Sequence, residues 1–351
     1  MELKTALEAA TKRGASDVHF SVGRPIMLRI DGTLLQMDEN VLLPADVESY
    51  IMPLLSESQK EDLFHKGEID FAYSLQGIGR FRLNVFRQRG TYAAALRLLP
   101  FIIPTPEQLN LPQAIIEMTN KKRGLVLVTG PTGSGKSTTL ASLINVINQK
   151  RANHIITLED PIEYLHKSKK AIVNQREIGL DTMGYAPALR AALRQDPDII
   201  LLGEMRDLDT ISTAVTAAET GHLVFSTLHT IGAASTIDRI VDVFPPHQQE
   251  QIKIQLATVL ECVVSQQLLP TDDIEGGRCG AFEVMVANPA IRNLIREGKT
   301  FQITSMMQTN QKSGMITMDD ALYELYITRR ISANTALDFA QDYSYLSRKL
   351  G

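Results

Sequence analysis

The run Gly130-Pro131-Thr132-Gly133-Ser134-Gly135-Lys136-Ser137-Thr138 satisfies the pattern G-x-x-x-x-G-K-S. Its glycines let successive backbone N–H groups surround the phosphates of a nucleotide. The lysine at Lys136 would place its ammonium against the β- and γ-phosphates, and the Ser137 hydroxyl would take one position in a Mg²⁺ shell. Nucleotide binding is the chemistry these residues announce. The flanks agree: Gly124 to Thr129 is a short apolar β-type run, and Leu140, Leu143, Ile144 and Ile147 follow at helical spacing. Strand, glycine-rich loop and helix in that order is the context the motif requires.

Hydrolysis also needs a group that orients or deprotonates water, and Glu204, which ends the run Ile199-Ile200-Leu201-Leu202-Gly203, is the candidate. A buried strand delivers its last side chain to the phosphate-facing edge of the sheet. Such a strand ordinarily ends in an aspartate that contacts Mg²⁺ through water; here Gly203 stands in the adjacent place and Glu204 is the carboxylate left to serve metal or water. A second acidic group, Glu159-Asp160-Pro161-Ile162-Glu163, follows the apolar strand at His154 to Leu158 and should emerge at the same edge. Carboxylates there either hold metal waters and fix the nucleophile or form an ordinary solvated turn, and the residues alone leave both readings open.

His222 and His229 bracket the run Leu223 to Leu228, seven residues apart and away from any cysteine cluster, which does not suit zinc. His229, at the carboxyl end of that strand, is placed to sense a γ-phosphate or a neighbouring subunit, although a satisfied loop histidine is the plainer reading. In Arg80-Phe81-Arg82-Leu83-Asn84-Val85 the alternation puts Phe81, Leu83 and Val85 on one strand face and Arg80 and Arg82 on the other. With Arg97 on a following strand, these are either solvated charges or arginines that reach a γ-phosphate at a domain or subunit boundary. The second role is worth roughly 10³ to 10⁵ in rate, or about 4 to 7 kcal/mol. Arg190 and Arg194, four apart on a helix expected over Ala188 to Arg194, are candidates of the same kind.

The elements that must position these residues fall into three regions. Residues 1 to 99 mix a leading helix with strand-like runs at Ile26 to Ile30, Ile69 to Leu75, Phe81 to Phe86 and Tyr92 to Leu98, a small α+β domain. Pro100 to Pro106 carries three prolines in seven positions and marks a linker over 100 to 110. From 111 to about 245 short apolar strands alternate with helices, the signature of a parallel sheet with helical crossovers. From about 247 the pattern turns mostly helical, with helices expected near 247 to 266, 289 to 297, 300 to 310, 317 to 329 and 332 to 341, and one strand at Ala281 to Val286. The fold class is therefore α/β.

A length of 351 residues suits two domains or one with an appendage. A net charge of −4, with 22% charged residues, provides no polycation to hold nucleic acid, so none is expected as a partner. No apolar run reaches the roughly 18 residues that span a bilayer, and Met1-Glu2-Leu3-Lys4 lacks the apolar core of a signal peptide, so a cytoplasmic location is expected. Cys262 and Cys279 lack C-x-x-C spacing and read as unpaired thiols.

Taken in order, the motifs resemble the ATPase family of type II secretion and type IV pili. The resemblance rests on Gly130 to Thr138 as the P-loop, Glu159 to Glu163 as the aspartate box, Asp196 to Asp207 as the Walker B region, and Thr220-Gly-His222 through Thr227-Leu-His229 as the histidine box. Gly14 to His19 and Ala290 to Glu297 look like the retraction branch, and the tetracysteine metal site of the extension branch is absent from this sequence, which has two cysteines. The tail, including Gly314 to Asp319, partly resembles accessory retraction ATPases. The resemblance implies a RecA-like P-loop domain with a PAS-like amino-terminal domain, assembled as a homo-hexamer with ATP between subunits. It implies that Glu204 is catalytic, that Glu163, His222 and His229 complete the site, and that Arg80, Arg82 and Arg97 approach the nucleotide from the amino-terminal domain. The implied function is a motor that hydrolyses ATP to retract type IV pili. It would act at the cytoplasmic face of the inner membrane on a pilus platform protein, beside a paralogous retraction ATPase. An extension or secretion ATPase of the same fold, and more remotely a nucleic-acid translocase, are the rivals.

Overall fold

The computed structural model describes residues 3–30, 32–75, 77–99, 102–272 and 277–351. Of the expected linker, Pro100 and Phe101 lie outside the described residues. The chain divides into two compact units, Met1–Ile102 with Pro161–Leu165, and Ile103–Asp160 with His166–Gly351.

The first unit runs α1 (Leu3–Lys12), β1 (Asp17–Phe20), β2 (Met27–Ile30), β3 (Thr33–Gln36), α2 (Pro44–Ile51), α3 (Glu57–Lys66), β4 (Glu68–Leu75), β5 (Gly79–Gln88) and β6 (Thr91–Leu99). Its strands form an antiparallel sheet ordered β3-β2-β1-β6-β5-β4. Alternation along β5 buries Phe81, Leu83 and Val85 and leaves Arg80 and Arg82 on the other face, as the pattern predicts. Leu7 of α1 and Ile51 of α2 join the core that these strand residues build.

The second unit begins α4 (Gln113–Glu117), β7 (Gly124–Thr129), α5 (Lys136–Lys150), β8 (His154–Glu159), β9 (Ile172–Glu177), α6 (Tyr185–Ala192) and β10 (Ile199–Leu202). It continues α7 (Leu208–Glu219), β11 (Leu223–Leu228), α8 (Ala233–Asp242), α9 (Pro246–Val259), β12 (Leu260–Pro270) and β13 (Arg278–Val286). The last helices are α10 (Pro289–Arg296), α11 (Ile303–Thr309), α12 (Met318–Ile327), α13 (Ala333–Asp338) and α14 (Tyr343–Leu350). The sheet order is β13-β12-β7-β11-β10-β8-β9, parallel except where β13 runs against β12.

Helices cover both faces of this sheet. Leu125 and Leu127 of β7 pack into one core with α7 and α9, while Val126 and Val128 pack into another with α4 and α5. Burial on both sides is why β10 and Leu125 to Val128 of β7 read as continuous apolar runs, and why β11 opens on Leu223-Val224-Phe225.

Two expectations fail. The helix expected over 247 to 266 stops at Val259, and the chain continues as the eleven-residue strand β12 beside β7. The helix expected over Ala188 to Arg194 is α6, which ends at Ala192, so exposed Arg194 lies in the following turn rather than on one helical face with Arg190. Among the described residues no helix is long and apolar enough to cross a membrane.

Candidate active site

The phosphate loop joins the carboxyl end of β7 to the amino end of α5, whose orphan N–H groups and dipole favour an anion. Gly130 has φ +141° and Gly135 φ +90°, a region that disfavours any side chain. Space forbids one as well: a Cβ on Gly130 would lie 2.2 Å from the Gln266 carbonyl oxygen, and one on Gly135 would lie 2.8 Å from Gln266 Nε2. Lys136 is buried, and its ammonium donates to the carbonyl oxygens of Gly130 (2.8 Å) and Pro131 (2.9 Å). The loop's own carbonyls thus accept the bonds that phosphate oxygens would take from this ammonium. Ser134 Oγ is buried with no partner among the described residues, a polar atom suited to a phosphate oxygen. Pro131, Thr132 and Ser137 are exposed at the mouth, with Gly133 between them and Thr138 half-buried.

A cavity of about 450 Å³ opens beside the loop, with Gly135, Thr138, Thr139, Gln266, Phe282 and Arg330 among its walls. It is large enough for a nucleobase and sugar. Gln266 is a residue that the sequence pattern concealed, because its segment was expected to be helical.

Glu204 follows β10, two strands from β7 and at the same carboxyl edge. Arg206 Nε lies 2.7 Å from its Oε1 and His229 Nε2 3.4 Å from its Oε2. The backbone here is pinned on both sides: Gly203 N donates to the Leu158 carbonyl, Thr227 Oγ1 donates to the Gly203 carbonyl at 2.5 Å, and Met205 N donates to the Thr227 carbonyl. Asp207 then caps α7 by accepting from Thr210 N at 2.9 Å, so this carboxylate is committed to the helix. The absence of an aspartate at Gly203 has a steric cause, since an added Cβ would lie 2.8 Å from the Tyr185 hydroxyl. No local pattern in the sequence points to Tyr185. Burial, and after it the carboxylates of Glu204, Asp160 and Glu159, push its phenol well above the ordinary value.

Of the aspartate-box carboxylates, Glu159 ends β8 at the same edge and accepts from Thr157 Oγ1 (2.6 Å) and Gln175 Nε2 (3.1 Å). Asp160 is exposed beside it. Glu163 belongs to the first unit with the rest of Pro161–Leu165 and is half-buried there. The structure does not bring His222 to this edge. It stands at the amino end of β11, a strand roughly 20 Å long, and its Nδ1 pairs with the Ala217 carbonyl at 2.9 Å. The arginines of the first unit have partners within it. Arg82 grips both oxygens of Asp70, with Nη2 to Oδ2 at 2.7 Å; Arg97 Nε donates to Asp17 Oδ1 at 3.0 Å; Arg80 Nε donates to the Ile162 carbonyl at 3.1 Å. Arg190 is exposed on α6.

The oxygen donors at the edge, Ser137, Glu204, Glu159 and Asp160, are hard ligands of the kind Mg²⁺ takes. Among the described residues no three His, Cys, Asp or Glu side chains converge as a self-sufficient metal site. That suits an ion held by one or two protein oxygens and by the phosphates themselves.

The model of the family described as type II/IV secretion system protein matches residues 2–327. The chain is 47% identical over 341 residues to the type IV pilus retraction ATPase PilT of Pseudomonas aeruginosa, covering 97% of this chain and 98% of that one. It is 39% identical to the type IV pilus ATPase PilU of the same organism, covering 97% and 89%. Among solved structures, the pilus retraction motor PilT with bound ADP superposes with a TM-score of 0.94 at 50% identity, over 99% of each chain.

Proposed function

Since the chain belongs to the type II/IV secretion system protein family, we propose that it is a motor ATPase that powers retraction of a type IV pilus. The observation that carries the chemical part is the shared sheet edge. Lys136 and Ser137 open α5 there, and Glu204, held by Arg206 and His229, stands two strands away. The near full-length likeness to PilT supports the biological part.

Phosphates entering the loop take over the Lys136 ammonium from the Gly130 and Pro131 carbonyls, and the base occupies the cavity bounded by Phe282 and Arg330. Ser137 is the residue that would hold Mg²⁺, with Glu204 or the Glu159–Asp160 pair holding its waters. When bound there, Mg²⁺ would supply charge neutralisation to the phosphates. Glu204 accepts a hydrogen bond from the attacking water, and its two partners fix the carboxylate's direction. Arg80, Arg82 and Arg97 act when the amino-terminal unit closes on nucleotide in a homo-hexamer, Arg82 exchanging Asp70 for phosphate and Arg97 exchanging Asp17. Glu163 travels with that unit, and Arg190 and Arg194 line the subunit boundary. Closure and reopening around the ring would turn a platform protein at the cytoplasmic face of the membrane, and pilin would return to the bilayer.

The test of the chemistry is Glu204→Gln in the purified full chain. Turnover is expected to fall at least about 100-fold with ADP binding retained; wild-type turnover in that variant would remove Glu204 from its role. Hyperpiliated cells on deletion of the gene separate retraction from extension or secretion. A second reading, an accessory retraction ATPase, is favoured by the tail around Gly314 to Asp319 and by the likeness to PilU. Retraction that persists on deletion under low load, and fails only under high load, would decide for it.

A further inference from the structure

Ser265, Gln266 and Gln267 are three consecutive polar residues in the middle of β12, all buried, beside the strand β7 that is apolar from Leu125 to Val128. Buried polar side chains are costly unless they are bonded. Each of the three is bonded to a different part of the second unit. Ser265 Oγ accepts from Gly232 N (2.9 Å) in the turn that follows His229, and Gln267 Nε2 donates to the Phe339 carbonyl (3.2 Å) at the end of α13.

Gln266 is committed to the phosphate loop. Its Nε2 donates to the Ser134 carbonyl at 2.6 Å, and its Oε1 accepts from Thr139 Oγ1 at 2.8 Å. Ser134 lies inside the loop and Thr139 in the first turn of α5, so one planar amide spans the joint between loop and helix. The same residue supplies the atoms that leave no room for a side chain at Gly130 and Gly135. The loop keeps this shape while Lys136 is bonded to the loop's own carbonyls.

We propose that Gln266 is a positioning residue for nucleotide binding: its side-chain amide preorganises the phosphate loop from β12, so that binding requires only the transfer of Lys136 from carbonyl to phosphate. Preorganisation of this kind lowers the cost of binding rather than the barrier of the chemical step. The inference rests on the reading of this loop as an ATP site.

ADP binding with Mg²⁺ and steady-state ATP turnover, measured on the full chain, test it. Gln266→Met keeps the volume and removes both bonds. ADP affinity should weaken at least about tenfold and KM should rise, while kcat at saturating ATP stays within about threefold. Gln266→Glu supplies a readout that space-filling cannot move. Burial favours the protonated carboxyl, which both donates to the Ser134 carbonyl and accepts from Thr139. The ratio of its Kd to that of wild type should therefore fall toward one between pH 8 and pH 6, whereas the ratio for Gln266→Met stays flat. Thr139→Val should weaken ADP binding about threefold alone and add nothing in the Gln266→Met background; if Gln266→Met fails to fold, Thr139→Val alone carries the test. Affinity within twofold of wild type in the folded Met variant, or in Thr139→Val alone, would overturn the role of Gln266, as would identical pH behaviour of the Met and Glu variants. Failure of the wild-type chain itself to bind ADP would overturn the reading of the site, and the inference with it.

Discussion

The hydroxyl of Tyr185 lies 2.8 Å from the point where a Cβ on Gly203 would stand. Gly203 is not among the glycines with positive φ, so it is a glycine here for space and not for backbone angle. An aspartate at this position, expected from the general pattern of such strands, is excluded by an aromatic residue 18 positions earlier in the chain. Glu204 is left as the first carboxylate beyond β10.

Gly203→Ala should therefore destabilise the second unit by about 1–3 kcal/mol through overpacking. Tyr185→Phe removes the clashing oxygen and should recover most of that loss, although the Leu158 carbonyl, 3.2 Å from the same point, remains close. Denaturant unfolding of the two single variants and the double variant reads the coupling, and additive losses would show that the hydroxyl is not the obstacle.

His222 and His229 look symmetrical in the sequence, but the strand between them sends them to opposite edges of the sheet. His229→Ala removes a partner of Glu204 and should lower kcat about 10- to 100-fold with little change in melting temperature. His222→Ala leaves the Ala217 carbonyl without its imidazole partner at the end of α7 and should cost about 1 kcal/mol of stability with a smaller effect on kcat. Steady-state kinetics and thermal melts on both variants separate the two, and a reversed pattern would exchange their roles.

The Arg82–Asp70 pair is about two-fifths exposed on both sides, so its contribution to the first unit is small, below about 1 kcal/mol. If Arg82 serves phosphate instead, Arg82→Ala should leave unfolding of that unit nearly unchanged while lowering kcat at least about 100-fold. Asp70→Asn, which loosens the arginine without removing it, should keep most of the turnover. Equal losses in both variants would mark the pair as structural.

What was legible in the sequence follows from how local each signal is. The phosphate loop and the strands β7 and β10 are written in short contiguous patterns, because double-sided burial favours near-continuous apolar runs. The strand β12 was hidden for two reasons. Ile252, Leu256 and Leu260 continue the period of α9 across its true end at Val259, and Ser265 to Gln267 interrupt the apolar run that would mark a central strand. Gln266 and Tyr185 act through contacts with residues distant in the chain, and no spacing rule carries such information. The commitment of Asp207 to capping α7 was available in principle, since Asp before Leu-Asp-Thr is a helix-start signal.

The helix α14 supplies a pH dependence of stability through Asp320. Asp320 is buried on α12, which pushes its carboxyl up, but hydrogen bonds from Lys349, Thr317 and Tyr345 outweigh burial and hold it below the ordinary aspartate value. A group whose folded value is depressed contributes stability that is fully present above the unfolded value of 3.8 and is lost as pH falls through the folded value. Asp319 and Glu283 behave oppositely. Burial raises both, so their unfavourable contribution at neutral pH is relieved as pH falls toward their unfolded values of 3.8 and 4.5. Lys349→Met removes the ammonium of α14 that pairs with Asp320 and should cost about 1–2 kcal/mol at pH 7, with the loss shrinking as pH falls through the depressed folded value of Asp320 and its carboxyl becomes protonated. Melting temperatures of wild type and Lys349→Met between pH 3 and pH 8 should therefore converge at the acid end; curves that stay parallel throughout would place the anchoring of α14 in its apolar contacts and not in the Asp320–Lys349 pair.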